Sequence, residues 1–320
     1  MSPSWNRRDF LSVAGTASFL GPALTLGPLS SPLAAAASEP SLIVDTHTHF
    51  YDPTRPGGVP WPGKTNKTLY RKVLPDDFRK VAQPHGVRGT IVVEASPWLE
   101  DNQWILDLAK DDPWLLGCVG NLAIADADFP QHLQRFARQP RFRGIRIKTS
   151  DLPGPDTPAR STDNLQRLAD QNLSLDVNGG PPLLPGVLRL AKKIPTLRIV
   201  IDHLPFDPPV EPTARADFDK LLAETAAQPN VYAKVSHVLR KRGGEVSLDL
   251  ADYRPQLDML WRLFGADRVI YGSNWPVSDL LGSYAQVFGL MQSYVAERGA
   301  VDAEKYFWKN AKAAYRWPAS

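Results

Sequence analysis

Residues 44–50 read Val-Asp-Thr-His-Thr-His-Phe, a short apolar strand that carries two histidines two positions apart. Side chains alternate between the faces of an extended strand, so His47 and His49 point to the same face. Two imidazoles on one face can chelate a single divalent cation. His203 directly follows a similar apolar run at 197–202 and is the natural third ligand. The alternative is that the histidines form a hydrogen-bonded structural pair.

The apolar run before His47 is the first of eight along the chain. The others occupy 89–94, 115–121, 144–148, 173–178, 197–202, 230–234 and 268–271, and the first covers 42–45. Helical spacing of apolar residues lies between most of them and after the last, at 100–110, 129–138, 162–171, 184–193, 214–227, 255–264, 283–298 and 302–315. Strands that alternate with helices predict βαβ units and a parallel sheet. Eight such units predict an α/β fold, a single-domain (β/α)₈ TIM barrel. A doubly wound open sheet is the alternative, but no Gly-x-Gly-x-x-Gly turn follows the first strand.

The first 37 residues are predicted to be an export signal. Arg7 and Arg8 precede a weakly apolar stretch and an alanine-rich site suited to cleavage near Ala36 or Ala37. This arrangement is typical of a twin-arginine signal peptide, and the alternative is an amphipathic or anchoring helix. We therefore expect a signal at 1–37 and a barrel domain at 38–320, located in the periplasm or secreted.

Composition excludes several classes of partner. Among 320 residues, 37 are Lys or Arg and 34 are Asp or Glu, so the net charge of +3 gives no reason to expect nucleic acid. Cys118 is the single cysteine, which argues against a thiolate metal site and excludes an intrachain disulfide. No stretch after the signal is apolar enough for a membrane span. A small-molecule substrate is the expected partner, and association of identical chains is left open.

Charged and aromatic side chains are predicted at the carboxyl ends of the strands, where barrel enzymes build their active sites. Lys234 could stabilise the oxyanion of a tetrahedral intermediate, or form a buried ion pair. Arg146 and Lys148 share a face and suit a substrate carboxylate or sugar oxygen, although either could be a surface charge. Trp61 lies in the proline-rich loop at 51–70, which should fold over the barrel mouth, and could stack on a sugar or serve as a packing anchor.

Four motifs resemble those of the amidohydrolase-related proteins, in the branch that contains sugar lactonases and dicarboxylate lactonases. They are the residues at 44–50, 200–204, 230–236 and 268–277, and the resemblance extends in order over about 42–315. It implies a (β/α)₈ barrel that hydrolyses a lactone or ester of a sugar acid or related carboxylate. On this interpretation His47, His49 and His203 hold a divalent metal, with Asn274 as a weak fourth contact. Zinc is expected, and a metal-free reaction is the alternative. Decarboxylases of ring acids share the same superfamily.

One position departs from the family pattern. Asn274 stands where the family usually has Asp, and an amide cannot accept a proton as a general base. Asp279, five residues later, could replace it, or could cap the helix that follows. Glu94 at the end of the second strand is another candidate base, or could form a salt bridge to Arg146 or Lys148.

His237 stands where relatives often have a small residue. It is predicted to be an acid or a substrate contact specific to a subgroup, or a plain surface histidine. Because the usual carboxylate is missing, two other functions compete with lactone hydrolysis. One is a catalytically lapsed barrel that binds a carbohydrate or acid, and the other is a decarboxylase.

Overall fold

The computed structural model describes residues 40–154 and 157–317. Within these ranges, eight parallel strands form one sheet in which each strand pairs with the next along the chain. They are β1 (Val44–Thr48), β2 (Gly89–Val93), β3 (Leu115–Gly120), β4 (Phe142–Lys148), β5 (Ser174–Asn178), β6 (Arg198–Leu204), β7 (Val231–Val235) and β8 (Val269–Tyr271). A short antiparallel hairpin pairs Lys241–Arg242 with Glu245–Val246 outside this sheet.

The sheet closes where β1 meets the segment that follows β8. Thr48 forms a parallel bridge with Trp275. The backbone N–H of Asn274 donates to the His47 carbonyl at 2.9 Å, and the N–H of His49 donates to the Trp275 carbonyl at 2.9 Å. The predicted eight-stranded barrel is therefore confirmed. The signal predicted at 1–37 lies outside the described residues, and it stays a prediction together with the domain boundary and the cellular location.

A buried carboxylate fastens the two sides of this seam. Asp45 Oδ1 accepts the backbone N–H of His47 at 3.0 Å and that of Ser273 at 2.9 Å, and Oδ2 accepts the Tyr284 hydroxyl at 3.1 Å. Burial raises the pKa of Asp45 to about 6, against the lowering effect of these hydrogen bonds. One side chain of β1 thus fixes the register of the loop that carries Asn274.

Helices cover the outside of the barrel. They are α1 (Pro75–Ala82), α2 (Leu99–Ala109), α3 (Phe129–Ala137), α4 (Ala159–Asp170), α5 (Leu184–Lys193), α6 (Pro212–Ala226), α7 (Arg254–Phe264), α8 (Tyr284–Ala296), α9 (Ala300–Glu304) and α10 (Asn310–Tyr315). A π-helical turn, Lys305–Lys309, joins α9 to α10, so the helix predicted at 302–315 is divided. Within the described ranges, every helix is too short or too polar to cross a lipid bilayer.

Helix α1 was not among the helices predicted from the sequence. This helix has eight residues and buries Phe78 and Ala82, which gives a short apolar pattern inside a charged stretch. Its start does have a recognisable signal, because Pro75 lies in the first turn together with Asp76 and Asp77. Proline and acidic residues both favour the first turn of a helix.

The last helix closes the amino-terminal end of the barrel. Ala311, Ala314 and Tyr315 of α10 pack with the inward-facing apolar side chains of the strands, among them Val44 and Val200. A second and larger cluster fills the layer between the strands and the outer helices. The amino-terminal end of the barrel is therefore packed, and the open, polar end is the one at which the strands terminate.

Gly272 is expected to be indispensable for the packing of the seam. A Cβ at this position would lie 2.7 Å from the Cβ of His47 and 3.3 Å from that of Ser236. We expect Gly272→Ala to lower the free energy of unfolding by about 1–3 kcal/mol through overpacking. Urea denaturation would measure the change.

Gly289→Ala is the matched control, because a Cβ there meets nothing within 4 Å in the middle of α8. Alanine should leave this helix as stable or stabilise it by about 0.5–1 kcal/mol. Equal unfolding midpoints for the Gly272→Ala variant and the wild type would contradict the packing argument.

Candidate active site

The buried His47 and the half-buried His203 meet at the carboxyl ends of β1 and β6. The ring centroids of His47 and His203 are 4.6 Å apart, and that of His49 lies 5.0 Å from His47. The strand order of the barrel places β1 and β6 across the mouth rather than side by side. Their side chains converge because alternate residues of both strands point inward.

Three donor groups at this point fit a metal ion. Among the described residues, neither ring nitrogen of His47 has a hydrogen-bond partner, although the ring is fully buried. One donor atom from each of His47, Asp202 and His203 lies within 4.8 Å of the others. Two imidazoles and a carboxylate are a donor set that zinc accepts. Asp202 was not among the ligands predicted from the sequence, although it directly precedes His203.

The protonation of these histidines also suits metal binding. Burial lowers the pKa of His203 to about 3 and holds the pKa of His47 well below its ordinary value. Both rings are therefore neutral near pH 7 and can offer a lone pair. His203 Nδ1 lies 2.9 Å from Ser236 Oγ, a contact that fixes the orientation of the ring.

His49, the remaining predicted ligand, makes different contacts. Its Nδ1 lies 2.9 Å from the Val93 carbonyl oxygen and its Nε2 lies 3.2 Å from the Asn274 side-chain oxygen. Burial, reinforced by the charge of Arg146, lowers the pKa of His49 to about 4. The ring of Trp61 packs edge-on against it, with centroids 5.9 Å apart. The structure thus brings two of the three predicted ligands together and places His49 beside them in a hydrogen-bonded position.

Lys234 lies in the barrel interior between two carboxylates. Its Nζ is 2.5 Å from Asp176 Oδ2 and 2.9 Å from Asp202 Oδ1, and all three side chains are fully buried. The Tyr315 hydroxyl donates to the same Asp176 oxygen at 2.8 Å. Burial opposes the charge of Lys234, but the two carboxylates outweigh it and raise the pKa of the amine. The buried ion pair considered from the sequence is what the structure contains.

The other predicted charges pair along the rim. Arg146 Nε donates to Glu94 Oε1 at 2.9 Å, and its Nη2 donates to the Glu94 backbone carbonyl at 2.8 Å. This pair and the exposed Lys148 line a cleft of about 440 Å³ that also includes Asn121. The salt bridge considered as the alternative role of Glu94 is therefore present.

Asp279 lies further along the same edge of the barrel. Its Oδ2 is 3.2 Å from Arg71 Nη2, and burial raises the pKa of its carboxyl. It belongs to a short 3₁₀ turn, Val277–Leu280, whereas Ser283 caps the following helix α8. The interpretation of Asp279 as a helix N-cap is therefore wrong, because the chain makes an extra turn before the helix begins.

His237 and Asn274 form a pair at the ends of β7 and β8. The Asn274 side-chain nitrogen lies 3.0 Å from His237 Nδ1, and burial lowers the pKa of His237 to about 4. Both residues have left-handed backbone conformations, with φ of 51° and 63°, as does His203 with 64°. Non-glycine residues adopt such conformations rarely and cluster at functional sites when they do.

A closed eight-stranded parallel barrel with histidines and carboxylates at the strand ends defines the class as a TIM-barrel enzyme with a candidate metal centre. The amidohydrolase family model matches residues 44–317, and the chain belongs to that family. The resemblance carried by the four sequence motifs is thus confirmed.

The relatives found include lactonases. The chain is 33% identical over 248 residues to L-fucono-1,5-lactonase of Burkholderia ambifaria, an alignment that covers 75% of this chain and 82% of that protein. It is 27% identical to L-fucono-1,5-lactonase of Burkholderia multivorans, over 84% of this chain and 93% of that protein. An amidohydrolase structure from Burkholderia multivorans with bound zinc is 25% identical, with a TM-score of 0.75, and covers 87% of this chain and 100% of that one.

Removal of the buried amine should be strongly destabilising. We expect Lys234→Met to lower the free energy of unfolding by about 3–5 kcal/mol, because Asp176 and Asp202 would lose their cation in a buried setting. Thermal and urea denaturation would measure the loss. Lys148→Met, on the exposed rim, should change stability little. A Lys234→Met variant as stable as the Lys148→Met control would contradict the proposed balance of charges.

Proposed function

We propose that this protein hydrolyses the lactone of a sugar acid. The observation that carries the proposal is the 33% identity to an L-fucono-1,5-lactonase over three quarters of the chain. In such a reaction water attacks the lactone carbonyl, and the ring opens to a hydroxy acid. The residues at the barrel mouth supply polar contacts, an apolar wall at Trp61 and candidate metal ligands for this chemistry.

The pairing of the predicted cations, in the barrel interior and along its rim, supports a neutral, hydroxylated substrate. Of the three cations predicted for the site, Arg146 and Lys234 are paired with carboxylates and Lys148 is exposed. A dicarboxylate lactone would require unpaired cations to hold its charges. The hydroxyl groups of a sugar lactone can instead donate to Glu94 and accept from Arg146, so the pair recognises them without a net charge.

A divalent metal belongs to the same proposal. His47, Asp202 and His203 would hold it, because their donor atoms converge and the nitrogens of His47 have no hydrogen-bond partner among the described residues. Zinc, when bound, supplies Lewis acidity and lowers the pKa of coordinated water. Lys234 offsets the charge of Asp202, and Ser236 holds the ring of His203.

Ring opening is the direct test of the activity. We expect the purified protein to open six-carbon 1,5-aldonolactones such as L-fucono-1,5-lactone. We expect kcat/KM for a cyclic dicarboxylate lactone to be at least about tenfold lower, since Arg146 and Lys234 are already paired with carboxylates and leave Lys148, of these three cations, to face two negative charges. A pH-indicator assay follows the acid that is released, with the spontaneous rate subtracted.

Three outcomes of this assay would contradict the proposal. One is a rate equal to the spontaneous rate for every lactone, and saturable binding without turnover would then indicate a lapsed binding barrel. Another is a preference for the dicarboxylate. The third is release of carbon dioxide from ring acids in place of lactone opening, which would indicate a decarboxylase.

Metal content tests the ligand set separately from activity. Protein purified without chelators is expected to contain close to one zinc per chain, and His47→Ala should reduce this to background because two donors hold zinc weakly. His132→Ala on α3 is the matched control and should retain the metal. Elemental analysis by plasma mass spectrometry gives the ratio. Full zinc occupancy in the His47→Ala variant would contradict the assignment.

A further inference from the structure

The cleft at the rim lies beside the candidate metal centre. It has a volume of about 440 Å³ and is built by the segments that follow β2, β3 and β4 and by the start of α4. None of the three candidate metal ligands is among the described residues that line it. The two sites adjoin at the end of β2, because His49 Nδ1 lies 2.9 Å from the Val93 carbonyl oxygen and the next residue, Glu94, lines the cleft. A group bound in the cleft would therefore lie next to a lactone held at the metal centre.

The volume of the cleft is that of a ligand site. Such sites in proteins have volumes of roughly 300–1,000 Å³, so the cleft could hold a ligand group of its own. The reacting ring of a six-carbon lactone belongs at the metal ligands, which lie outside the cleft. A substrate with a second unit attached to the lactone ring would occupy both places.

The charges that line the cleft balance. Glu94 and Arg146 form a salt bridge at 2.9 Å, and Asp151 and Lys148 add one charge of each sign. Asp151 Oδ2 accepts the backbone N–H of Lys148 at 3.0 Å, which keeps this carboxylate beside the end of β4. A substituent with a net charge gains little from such a lining. The hydroxyl groups of a sugar can donate to the carboxylates and accept from the cations at the same time.

Asn121 offers an amide to a ligand in this cleft. Its backbone N–H donates to Asn102 Oδ1 and its carbonyl accepts from Asn102 Nδ2, both at 2.8 Å. The buried side chain of Asn102 on α2 thus fixes the backbone of Asn121. The Asn121 side chain has no recorded hydrogen bond to any described residue, and the residue lines the cleft. An amide can both donate to and accept from sugar hydroxyls.

The loop that carries Asn121 is held at a second point. Asn164 of α4, which is 2% exposed, donates from Nδ2 to the Ile124 carbonyl at 2.9 Å. Leu122 and Ile124 are buried as well. The wall formed by residues 121–125 is therefore fixed before a ligand arrives, so little conformational entropy is lost when one binds.

A buried hydroxyl on α4 lacks a partner. Ser161 is 1% exposed and lines the cleft, and its Oγ has no hydrogen-bond partner among the described residues. Nearly all buried polar groups in proteins are hydrogen-bonded, so an exception needs an explanation. A ligand hydroxyl would supply the missing partner.

We propose that this cleft is a sugar subsite and that the preferred substrate is the 1,5-lactone of a disaccharide aldonic acid. The lactone ring lies at the metal ligands. The second sugar, joined to it by a glycosidic bond, lies in the cleft against Asn121 and the Glu94–Arg146 pair. Water opens the lactone and the glycosidic bond stays intact. The inference rests on the proposed lactonase function and names a larger substrate for it.

Substrates with the same reacting ring test the subsite. Glucono-1,5-lactone is compared with maltobiono-1,5-lactone and cellobiono-1,5-lactone, which carry a second glucose on that ring in the two anomeric linkages. We expect kcat/KM to be at least about tenfold higher for one of the disaccharide lactones, because only they contact the cleft with a second sugar. The pH-indicator assay, with the spontaneous rate subtracted, measures all three. Values for both disaccharide lactones at or below that for glucono-1,5-lactone would overturn the proposal.

Two variants locate the second sugar in the cleft. Asn121→Ala should lower the ratio of kcat/KM for the disaccharide lactone to that for glucono-1,5-lactone by about three- to tenfold, the effect of one hydrogen bond. Ala123→Trp, at an exposed position that lines the cleft, should lower the ratio to about one or less by filling the space. Ala216→Trp, exposed on α6, is the matched control and should keep the wild-type ratio. An equal loss for both kinds of substrate in Asn121→Ala and Ala123→Trp would show a structural effect and overturn the assignment.

The subsite and the proposed function fail separately. A wild type that opens glucono-1,5-lactone or L-fucono-1,5-lactone without preferring a disaccharide lactone keeps the function and loses the subsite. If it opens none of them, the proposed function is contradicted, and calorimetry with maltobionate, cellobionate and gluconate decides the subsite. A Kd at least about tenfold lower for one of the disaccharide acids than for gluconate supports the subsite. Equal values or no binding overturn it.

Discussion

Closure of the barrel at the seam between β1 and the segment after β8 is the constraint on which the site depends. His47 and Asn274 share a backbone hydrogen bond across it, and His49 shares another with Trp275. Asp45 ties both sides together, and Gly272 allows them to approach closely. The first and last strands of the barrel thus hold His47 and His49 beside Asn274, and the backbone hydrogen bonds leave these residues little freedom to move.

Charge balance inside the barrel is the second requirement. Asp176 and Asp202 project from neighbouring strands into a volume without solvent, and Lys234 lies between them. Burial alone would drive the carboxylates to take up protons, and it raises the pKa of Asp176 to about 6. For Asp202 the attraction of Lys234 outweighs burial and lowers the pKa. The carboxylate beside His47 is therefore available as an anion at neutral pH.

The histidines at the mouth of the barrel are neutral at neutral pH. Burial lowers the pKa of each ring at the site, so their nitrogens act as acceptors or ligands rather than as cations. In a neutral imidazole one ring nitrogen carries the hydrogen and the other holds a lone pair. The hydrogen-bond partner of one nitrogen therefore decides whether the other can accept a proton or bind a metal. The Val93 carbonyl can only accept, so it places a hydrogen on Nδ1 of His49. The Ser236 hydroxyl, which can donate or accept, holds the ring of His203 in place.

Local patterns in the sequence were sufficient for the barrel and for the set of polar residues at its mouth. Apolar runs that alternate with helical spacing located all eight strands, and strand periodicity placed the charged residues at the carboxyl ends. The tertiary structure decided how these residues pair: it selects Arg146 over Lys148 as the partner of Glu94, and it brings Asp202 to the histidines and Asn274 to His237. The alternation of side chains along a strand predicts the face on which each side chain lies, and its position in the strand predicts the end of the barrel at which it lies. It carries no information on which side chain lies opposite across the mouth, because that depends on how eight strands tilt and close.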